Sequence, residues 1–395
     1  MKKLRKYYWI VLALVLFLGC KQDSKQALVS QVENFESIRI QHLVNEFWDL
    51  PPVTLTDTFC IRSAGGLHDF YSEGDYWWPD RENPDGPYVR NDGLSNPNNF
   101  VSHRHAMIRM SRIVGAMTSQ YLLSGEQKYS EKAMERLRAW FVSDSTKMNP
   151  NLLFAQAIQG RYTGRGIGII DGLHLIEVAR SAYLIQNAPG ISSTDINEVK
   201  NWFAEYLNWM MTHEYGKTEM VHPNNHGTCW AMQAAAFAQL TGNDSVLAFC
   251  ATRMKETLIP NQMAVDGSFP LEQERTKPYG YSLFNLDAMS LLAQILYTSG
   301  YRDIWEYENT DGKSLKLAGN YMFPFIRDKA SWKLKPDVLY WEDWPVSQAA
   351  LVLQGLAYQR KDFIELWEKL EHDSEVEEVQ RNLVMRYPLL WLDYE

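Results

Sequence analysis

Apolar residues recur at intervals of three and four positions along most of the chain after residue 100. This period matches one buried face of an α-helix. Three of the apolar stretches end in a Ser-Gly or Thr-Gly pair, at residues 124–125, 241–242 and 299–300. Because glycine readily adopts the left-handed conformation that closes a helix, each pair predicts a helix stop.

The helical stretches come in pairs joined by short links. "HAMIRMSRIVGAMTSQYLLSG" leads into "EKAMERLRAWFVSD", "TCWAMQAAAFAQLTG" leads into "SVLAFCATRMKETLIP", and "YSLFNLDAMSLLAQILYTSG" leads into "YRDIWEYE". Successive αα-hairpins with little strand alternation between them are typical of an α/α toroid. The pattern therefore predicts an all-α fold, an incomplete (α/α)6–7 toroid or barrel, although no strict sequence repeat is present.

Residues 50–100 break this pattern. The segment is rich in Gly, Pro, Asn, Asp and aromatic residues and has no periodicity. An irregular segment of this length inside a compact domain is unusual and often functional. We therefore expect a long irregular N-terminal loop segment beside the toroid. No linker divides the remainder, so residues 46–395 are predicted to form a single domain.

The N-terminus has the pattern of a bacterial export signal. A basic start, "MKKLRKYY", precedes the apolar run "WIVLALVLFLG", which is short for a spanning helix. Cys20 follows Gly19 directly, as in lipoprotein signals. We expect residues 1–19 to be a signal peptide, Cys20 to be lipidated, and residues 20–45 to be a tether and N-terminal segment. The protein would then be a lipoprotein of a bacterial cell envelope, periplasmic or on the outer-membrane surface. An ordinary signal peptide and a short membrane anchor are the alternatives.

The charge of the chain limits its possible binding partners, and its few cysteines limit its possible disulfide bonds. The formal net charge is −9, which argues against nucleic acid as a partner because nucleic acid needs a basic face. A local basic cleft for an anionic ligand remains compatible with this charge. Cys60, Cys229 and Cys250 are too few for a disulfide framework, and whether Cys229 and Cys250 pair stays open. We expect a monomer that meets the membrane only through its lipid anchor.

The stretch "VHPNNHGTCW" places His222, Asn224, Asn225 and His226 within five positions. An asparagine side chain can cap the helix that follows, but capping explains only one of the two. His222 and His226 have the i, i+4 spacing of a helical metal pair. However, Pro223 disfavours a helix through His222, and no HExxH glutamate is present. An active site is the third possibility.

A second candidate is "DGSFPLEQERTKPYGYSLFNLDAM", in which Arg275 lies six residues before Tyr281 at the start of a predicted helix. Arginine offers a fixed pair of donors to a carboxylate and lowers the pKa of a nearby phenol. The alternatives are that the tyrosines pack in the core and that Arg275 forms a surface ion pair with Glu272 or Glu274.

Together, "NNHGTCW" and "DGSFPLEQERTKPYGYSLFNLDAM" resemble the alginate lyase superfamily of polysaccharide lyases. "SAGGLHDFYSEGDYWWPD", "SHRHAM" and "NPNLLFAQAIQGRYTGRGIGIIDGLH" extend the resemblance over roughly residues 60–350. The Arg-to-Tyr spacing is one residue shorter than expected in family 5 and is closer to family 38, which includes alginate and glucuronan lyases. The resemblance implies an α/α toroid with a cleft across it.

The resemblance also implies a reaction. These enzymes cleave 1,4-linked uronate polymers by β-elimination, leaving 4,5-unsaturated uronate ends, and need no metal or other cofactor. Alginate, as polymannuronate or polyguluronate, is the expected substrate, with glucuronan as the alternative. Asn225 would neutralise the C5 carboxylate, with help from Arg275. Tyr281 would transfer protons, and His226 would be the base where the C5 hydrogen and C4 oxygen lie on opposite ring faces.

Further residues are expected to bind the polymer, although for each of them core packing or a structural ion pair is the alternative. They are Asn224, Tyr76, Trp77, Trp78, His103, Arg104, Arg165, Tyr279 and Trp344. His103 and His105 form only a partial metal motif, and His174 is expected to pack on its helix.

Two functions of other classes stay open at this point. One is an inverting glycoside hydrolase, which would need two opposed carboxylates. The available acidic residues for that reaction are Asp69, Asp75, Glu272 and Asp343. The other is a glycan-binding lipoprotein that keeps the cleft but does not turn over its ligand.

Overall fold

A computed structural model describes the backbone of residues 2–393 and the side chains of residues 25–393. The predicted signal peptide and the predicted lipidation of Cys20 fall outside the described side chains. Within the described residues, no helix is both long and apolar enough to cross a membrane.

The described part of the chain is mainly helical, with two small sheets. The α-helices are α1 (Lys2–Phe47), α2 (Ser102–Ser124), α3 (Gln127–Phe141), α4 (Leu175–Ile185), α5 (Ser193–Thr212), α6 (Glu214–Met220), α7 (Asn225–Thr241), α8 (Asp244–Arg253), α9 (Ile259–Gln262), α10 (Pro270–Gln273), α11 (Pro278–Thr298), α12 (Leu315–Arg327), α13 (Ala349–Ala357), α14 (Lys361–Trp367) and α15 (Glu377–Asn382). The strands are β1 (Tyr71–Glu73), β2 (Trp77–Trp78), β3 (Val89–Arg90) and β4 (Phe154–Ala157). Short 3-10 helices cover Leu55–Asp57, Gly166–His174, Ile304–Glu306, Lys329–Ser331 and Pro388–Trp391, and a π-helical turn covers Met254–Leu258.

The helices form two layers, as the αα-hairpin pattern predicts. In the inner layer, neighbours pack in the order α1, α2, α4, α7, α11 and α13, and α13 packs back against α1. Outside them, α3 packs on α2, α5 and α8 pack on α7, α12 packs on α11, and α14 packs on α13. α7 and α11 are buried along nearly their whole length, whereas α3 buries one face. The prediction of an all-α toroid is confirmed.

The predicted helix stops are mostly in place. Gly125 and Gly242 follow α2 and α7 in the left-handed conformation, with φ of 69° at both. α11 ends at Thr298, just before the predicted Ser-Gly pair. The stretch after this stop was predicted to form the second helix of the hairpin, but it forms only the 3-10 turn Ile304–Glu306.

The N-terminal helix belongs to the toroid from residue 28 onward. Leu28, Val32, Ile40 and Val44 of α1 are buried in the main core. Residues 20–45 were predicted to be a tether and N-terminal segment, and the part of this range from Leu28 onward packs into the toroid, because an apolar helical face this large is stable only when it is covered. Only the residues before this buried face remain available as a tether.

The irregular segment 50–100 lies beside the toroid as expected. β1 pairs in parallel with β4, and β2 pairs with β3 in an antiparallel hairpin with Trp77 opposite Arg90. Between the strands the chain is turns and bends. These two small sheets fix the loop over one end of the helices, where the candidate site lies.

Candidate active site

A cleft of about 750 Å³ opens at the end of the toroid where α7 and α11 begin. Arg104 near the start of α2, His174 just before α4, Asn225 at the start of α7 and Tyr281 near the start of α11 all line it. The start of a helix carries a partial positive charge, so several such ends around one cavity favour an anionic ligand. The irregular segment closes one side with Tyr76 and Trp77.

Asn224 caps α7, as one of the three interpretations of "HPNNH" proposed. Its Oδ1 accepts the backbone N–H of His226 at 3.3 Å and is 2.6 Å from Nδ1 of His222. Since Oδ1 is an acceptor, Nδ1 of His222 is the donor in this pair. Burial and the neighbouring His226 lower the pKa of His222. Asn224 thus connects His222 to the helix start while still lining the cleft.

Asn225 is held by a buried carboxylate. Its backbone N–H donates to Oε1 of Glu272 at 2.7 Å, and its side-chain Nδ2 donates to Oε2 of the same residue at 2.6 Å. Glu272 is 1% exposed, and burial raises its pKa. The amide group of Asn225 therefore has a fixed orientation at the wall of the cleft.

His226 is paired with another buried carboxylate. Its Nδ1 lies 2.5 Å from Oε1 of Glu219, which has no exposed surface. A carboxylate on Nδ1 fixes the imidazole as the Nδ1–H form and leaves the lone pair on Nε2. Because His226 lines the cleft and its side chain is 17% exposed, this arrangement suits a general base.

Arg275 and Tyr281 meet on the same cleft. Nη2 of Arg275 donates to the Tyr281 hydroxyl at 3.2 Å, and its guanidinium lies 4.3 Å from the centre of the Tyr281 ring. Asp92 holds the same guanidinium, with Oδ1 3.2 Å from Nη2. Asp92 also accepts a hydrogen bond from Thr276 at 3.0 Å. The irregular segment therefore positions the arginine that touches the phenol.

The Tyr281 hydroxyl has a second phenol as partner. The hydroxyl oxygens of Tyr76 and Tyr281 are 2.8 Å apart, and Nη2 of Arg381 donates to the Tyr76 hydroxyl at 3.3 Å. Burial and Tyr76 raise the pKa of Tyr281 well above its ordinary value, while Arg275 acts in the opposite direction. In the free protein, Tyr281 is therefore a protonated phenol beside two guanidinium groups.

An ion-pair network forms the floor below the tyrosines. Arg104 donates to Asp75 at 2.9 Å and lies 3.5 Å from Asp171, and Arg381 pairs with the other oxygen of Asp75. Burial disfavours the charge on Asp75, but Arg104 and Arg381 together hold its pKa well below the usual range. These charges neutralise one another, so Arg104 is a structural cation of the cleft.

Arg165 differs from the other arginines of the cleft. No carboxylate of the described residues lies within ion-pair distance of it, and it donates to the backbone oxygen of Gln156 at 2.7 Å and to its Oε1 at 3.3 Å. Gln156 itself has φ of 53°, which is uncommon for a non-glycine residue and often marks a functional site. Burial and the nearby Arg90 lower the pKa of Arg165 to about 10. Its guanidinium lies 5.8 Å from the centre of the Trp77 ring.

Comparison with known proteins agrees with this geometry. The family model described as alginate lyase matches residues 57–332, more than half of the chain. This chain belongs to the alginate lyase family. It is therefore a polysaccharide lyase, with an acidic polysaccharide as its substrate class. A search of the curated proteins finds no match.

Solved alginate lyases share the fold. An alginate lyase from Bacteroides ovatus is 27% identical, with a TM-score of 0.79 over 94% of this chain and 98% of that chain. Alginate lyase A1-III from Sphingomonas species A1 is 12% identical, with a TM-score of 0.55 over 90% of this chain and 94% of that chain. A histidine-to-alanine variant of A1-III complexed with a tetrasaccharide is 13% identical, with a TM-score of 0.58 over 88% and 89% of the two chains. The assignment to family 38 stays a prediction.

Most of the residues predicted from the sequence line the cleft of this alginate lyase family member. They are Asn224, Asn225, His226, Arg275, Tyr281, Tyr76, Trp77, Arg104 and Arg165. Their roles in catalysis and binding are taken up as proposals below.

Four predicted substrate-binding residues lie elsewhere. Tyr279 is fully buried, and its hydroxyl donates to the backbone oxygen of Phe325. Residues two positions apart on a helix point in different directions, so Tyr279 faces away from the side that carries Tyr281. Trp344 is in the core. Trp78 is not in the cleft wall, and its Nε1 donates to the backbone oxygen of Leu94.

His103 is the fourth of these residues, and its position is structural. It is buried, with Nε2 donating to the backbone oxygen of Thr58 at 2.9 Å and Nδ1 accepting the backbone N–H of Tyr71 at 3.0 Å. Both ring nitrogens are therefore occupied. His103 fixes the irregular segment on α2, and the prediction that it binds substrate is wrong.

The carboxylates proposed for a hydrolase do not form an opposed pair. Asp69 and Asp343 do not line the cleft, and Glu272 lies behind Asn225. Asp75 lines the cleft but is bound by two arginines. Within residues 25–393, no three His, Cys, Asp or Glu side chains form a group that could hold a metal ion. Cys60, Cys229 and Cys250 are free thiols, so Cys229 and Cys250 do not pair.

Arg381 and Glu219 are among the site residues that were not found from the sequence. Arg381 lies near the C-terminus in α15 and reaches the cleft only through packing. Glu219, seven residues before His226, could have been found as a carboxylate near the motif, but it lies in α6 and His226 lies in α7, so no spacing rule for a single helix connects them.

Proposed function

We propose that this protein degrades alginate by metal-independent β-elimination in the cleft lined by Asn225, His226, Arg275 and Tyr281. The observation that carries the proposal is that a fixed amide, a carboxylate-supported imidazole and an arginine-contacted phenol line one cavity. These groups match the three tasks of the reaction, which are to neutralise a carboxylate, to remove a proton and to supply one.

Neutralisation of the C5 carboxylate comes first. The C5 hydrogen is only weakly acidic, so stabilising the negative charge that develops on the carboxylate is the largest contribution to the rate. The Asn225 amide donates to this carboxylate, and Arg275 adds a positive charge nearby. The start of α7, where Asn225 lies, contributes its partial positive charge in the same direction.

Proton transfer then follows. In guluronate, Nε2 of His226 takes the C5 proton on one face, and the electron pair forms the C4–C5 double bond. The C4–O4 bond breaks, and the Tyr281 hydroxyl gives its proton to the departing O4 on the other face. A raised pKa suits Tyr281 to this acid role because it keeps the phenol protonated.

In mannuronate, as in glucuronate, the C5 hydrogen and O4 lie on the same ring face. Tyr281 first gives up its own proton to solvent, and the phenolate then removes the C5 proton. The electron pair forms the C4–C5 double bond, the C4–O4 bond breaks, and Tyr281 returns the proton to O4. Arg275 supports this form, since its guanidinium favours the phenolate. His226 is not required as a base for this isomer.

Arg165 and Trp77 are proposed to bind a neighbouring uronate. An arginine that lacks a carboxylate partner among the described residues is available for a carboxylate of the substrate, and an indole can stack on a sugar ring. Two variants of alginate lyase A1-III, which shares the fold, have been solved in complex with a tetrasaccharide, and this supports an oligosaccharide as the ligand.

Incubation with three polymers tests the reaction. Purified protein is mixed with polymannuronate, polyguluronate or glucuronan, with and without a chelator, while ultraviolet absorbance and reducing ends are followed together. We expect both signals to rise in parallel on alginate and to be unaffected by the chelator. Reducing ends without absorbance would mean hydrolysis, and loss of activity with the chelator that added metal restores would overturn metal independence.

We also propose that the protein is a lipoprotein of the cell envelope, attached through Cys20. The basic start, the short apolar run and the Gly19–Cys20 junction support this proposal. Metabolic labelling with an alkyne fatty acid tests it: label is expected in the wild type and not in Cys20→Ala. Equal labelling of both proteins would contradict it.

A further inference from the structure

Glu272 is a carboxylate that the proposed reaction does not use, although it touches a residue that does. It lies in the short helix α10, is 1% exposed, and uses both of its oxygens on Asn225. Among the described side chains, Asn225 is the one to which the Glu272 carboxylate is hydrogen-bonded. A group buried at this cost needs a reason, because burying a carboxylate is unfavourable unless its partners compensate.

The backbone bond alone has an ordinary explanation. Asn225 is the first residue of α7, and the first N–H groups of a helix have no partner within the helix. A carboxylate there supplies an acceptor and interacts favourably with the helix dipole. Capping of this kind does not require the second bond, from Oε2 to the Asn225 side chain.

The second bond determines which way the amide faces. An ionised carboxylate only accepts hydrogen bonds, so it pairs with the NH2 end of Asn225 and not with Oδ1. Nδ2 carries two hydrogens, and Glu272 engages one of them. The other hydrogen remains for a ligand in the cleft that Asn225 lines.

We propose that Glu272 is a positioning residue that locks the Asn225 amide with its second N–H directed at the substrate carboxylate. This inference rests on the proposed role of Asn225 as the neutralising group. A donor fixed before the substrate arrives does not have to reorient as charge develops, which is the condition under which such donors accelerate a reaction most. An amide turned by half a rotation would present Oδ1 to the carboxylate and repel it.

Replacement of Glu272 by glutamine changes which end of the Asn225 amide is the favoured partner. The Gln side chain can accept the backbone N–H of Asn225 through its oxygen, but its NH2 end then faces the Asn225 side chain and favours Oδ1 as the partner. We expect Glu272→Gln to lower kcat on polymannuronate roughly 100-fold, the loss typical of one removed transition-state donor, with little change in KM.

A double-mutant cycle with Asn225→Ala separates positioning from stability. If Glu272 acts through the Asn225 side chain, Glu272→Gln changes kcat by less than about twofold in the Asn225→Ala background. The same fold-loss in both backgrounds would overturn the inference. Melting temperatures of all variants are measured alongside, because loss of the helix cap lowers stability in both backgrounds alike.

Glu177 provides the matched control. It is also a buried glutamate, and its Oε1 accepts two backbone N–H groups, from Arg386 and Tyr387, away from the cleft wall. Glu177→Gln is expected to lower the melting temperature without a selective loss of kcat. An equal loss of kcat in Glu177→Gln and Glu272→Gln would contradict a positioning role.

Glu272→Asp keeps the cycle decisive if Glu272→Gln does not fold. Aspartate retains a carboxylate that only accepts hydrogen bonds, but its side chain is shorter by about one carbon–carbon bond. We therefore expect a smaller loss of kcat than in Glu272→Gln, and no such loss in the Asn225→Ala background. If Asn225→Ala itself keeps wild-type kcat, the proposed role of Asn225 fails, and this inference fails with it. A large loss in Asn225→Ala together with additive Glu272 effects overturns the role of Glu272 alone.

Discussion

The hydroxyl oxygens of Tyr76 and Tyr281 lie 2.8 Å apart, although 205 residues separate them in the chain. One comes from the irregular segment and the other from the first turn of α11. Each hydroxyl also contacts an arginine, Arg381 or Arg275. The proton of the proposed catalytic phenol is therefore controlled by residues from three separate parts of the chain.

Removal of the Tyr76 hydroxyl should change the pH dependence. Tyr76 raises the pKa of Tyr281, so in Tyr76→Phe that pKa falls. Where Tyr281 is the acid, activity is lost as pH rises through this pKa, and the alkaline limb of kcat against pH is expected to move to lower pH. The measurement is kcat on polyguluronate over the alkaline range for both proteins. An unchanged or upward-shifted limb would contradict the assignment.

Tyr281→Phe should abolish turnover but not binding. Loss of the proton-transfer group is expected to reduce kcat roughly 1000-fold, while the affinity for the polymer stays near that of the wild type. Ultraviolet absorbance measures turnover, and calorimetry measures binding.

Tyr279→Phe is the control for that variant, since it removes a hydroxyl two residues away in the core. Its bond to the Phe325 backbone contributes about 1 kcal/mol to the free energy of unfolding. We expect a lower melting temperature with nearly normal kcat. Similar kcat values in the two Phe variants would rule out a special role for Tyr281.

Loss of the imidazole should depend on the uronate. His226→Ala is expected to lower kcat on polyguluronate more than on polymannuronate or glucuronan, because only guluronate has its C5 hydrogen and O4 on opposite ring faces. Glu219→Gln should have the same pattern in weaker form, since Glu219 fixes the tautomer of His226. Equal losses on all three polymers would show that His226 is not a dedicated base.

Arg165→Ala is expected to weaken binding with little effect on chemistry. Loss of one carboxylate contact should raise KM about tenfold, equivalent to about 1.4 kcal/mol, and leave kcat nearly unchanged. The comparison is Arg104→Ala, which removes one of the two arginines that bind Asp75 and the ion pair of Asp171, and should cost about 3 kcal/mol or more of stability. A fall in kcat without a rise in KM for Arg165→Ala would place that residue in the chemical step.

Asp287 should make stability depend on pH below neutrality. Burial raises the pKa of Asp287 to about 7. Backbone N–H groups at the start of α13 lower this pKa, but their effect is smaller than that of burial. The folded protein then holds a proton that the unfolded chain releases near pH 4, so stability falls as pH rises from about 4 to 7. Asp287→Asn, which keeps an acceptor for Ala350, is expected to remove this contribution. Identical slopes of melting temperature against pH in both proteins would contradict it.

Local patterns and the family resemblance predicted the toroid and most of the residues that line the cleft, because both rest on short stretches of sequence. Helix stops at glycine and the apolar period depend on neighbouring residues, and Asn225 with His226 and Arg275 with Tyr281 are each close in sequence. Arg381 and Tyr76 reach the same phenol through packing of distant segments, which no local pattern encodes.

The wrong predictions have a common physical origin. Tyr279 and Trp344 were grouped with the site because they are aromatic and near matched motifs, yet the direction of a side chain depends on its angle around the helix and on tertiary packing. His103 was predicted to bind the polymer, but it is buried and both of its ring nitrogens are hydrogen-bonded to the backbone, so its position is structural. Residue type and proximity predicted the neighbourhood but not the direction of each side chain.

The position of the N-terminal part of α1 determines from which side this enzyme can be attached to a membrane or a support. Nζ of Lys25 lies 5.7 Å from the centre of the Tyr297 ring, at the end of α11, whereas the beginning of α11 lines the cleft. A helix of 21 residues is about 30 Å long. A lipid, a resin or a fusion partner joined before this point therefore holds the protein from the side remote from the cleft. A long, stiff polymer can then pass across the catalytic end without meeting its support.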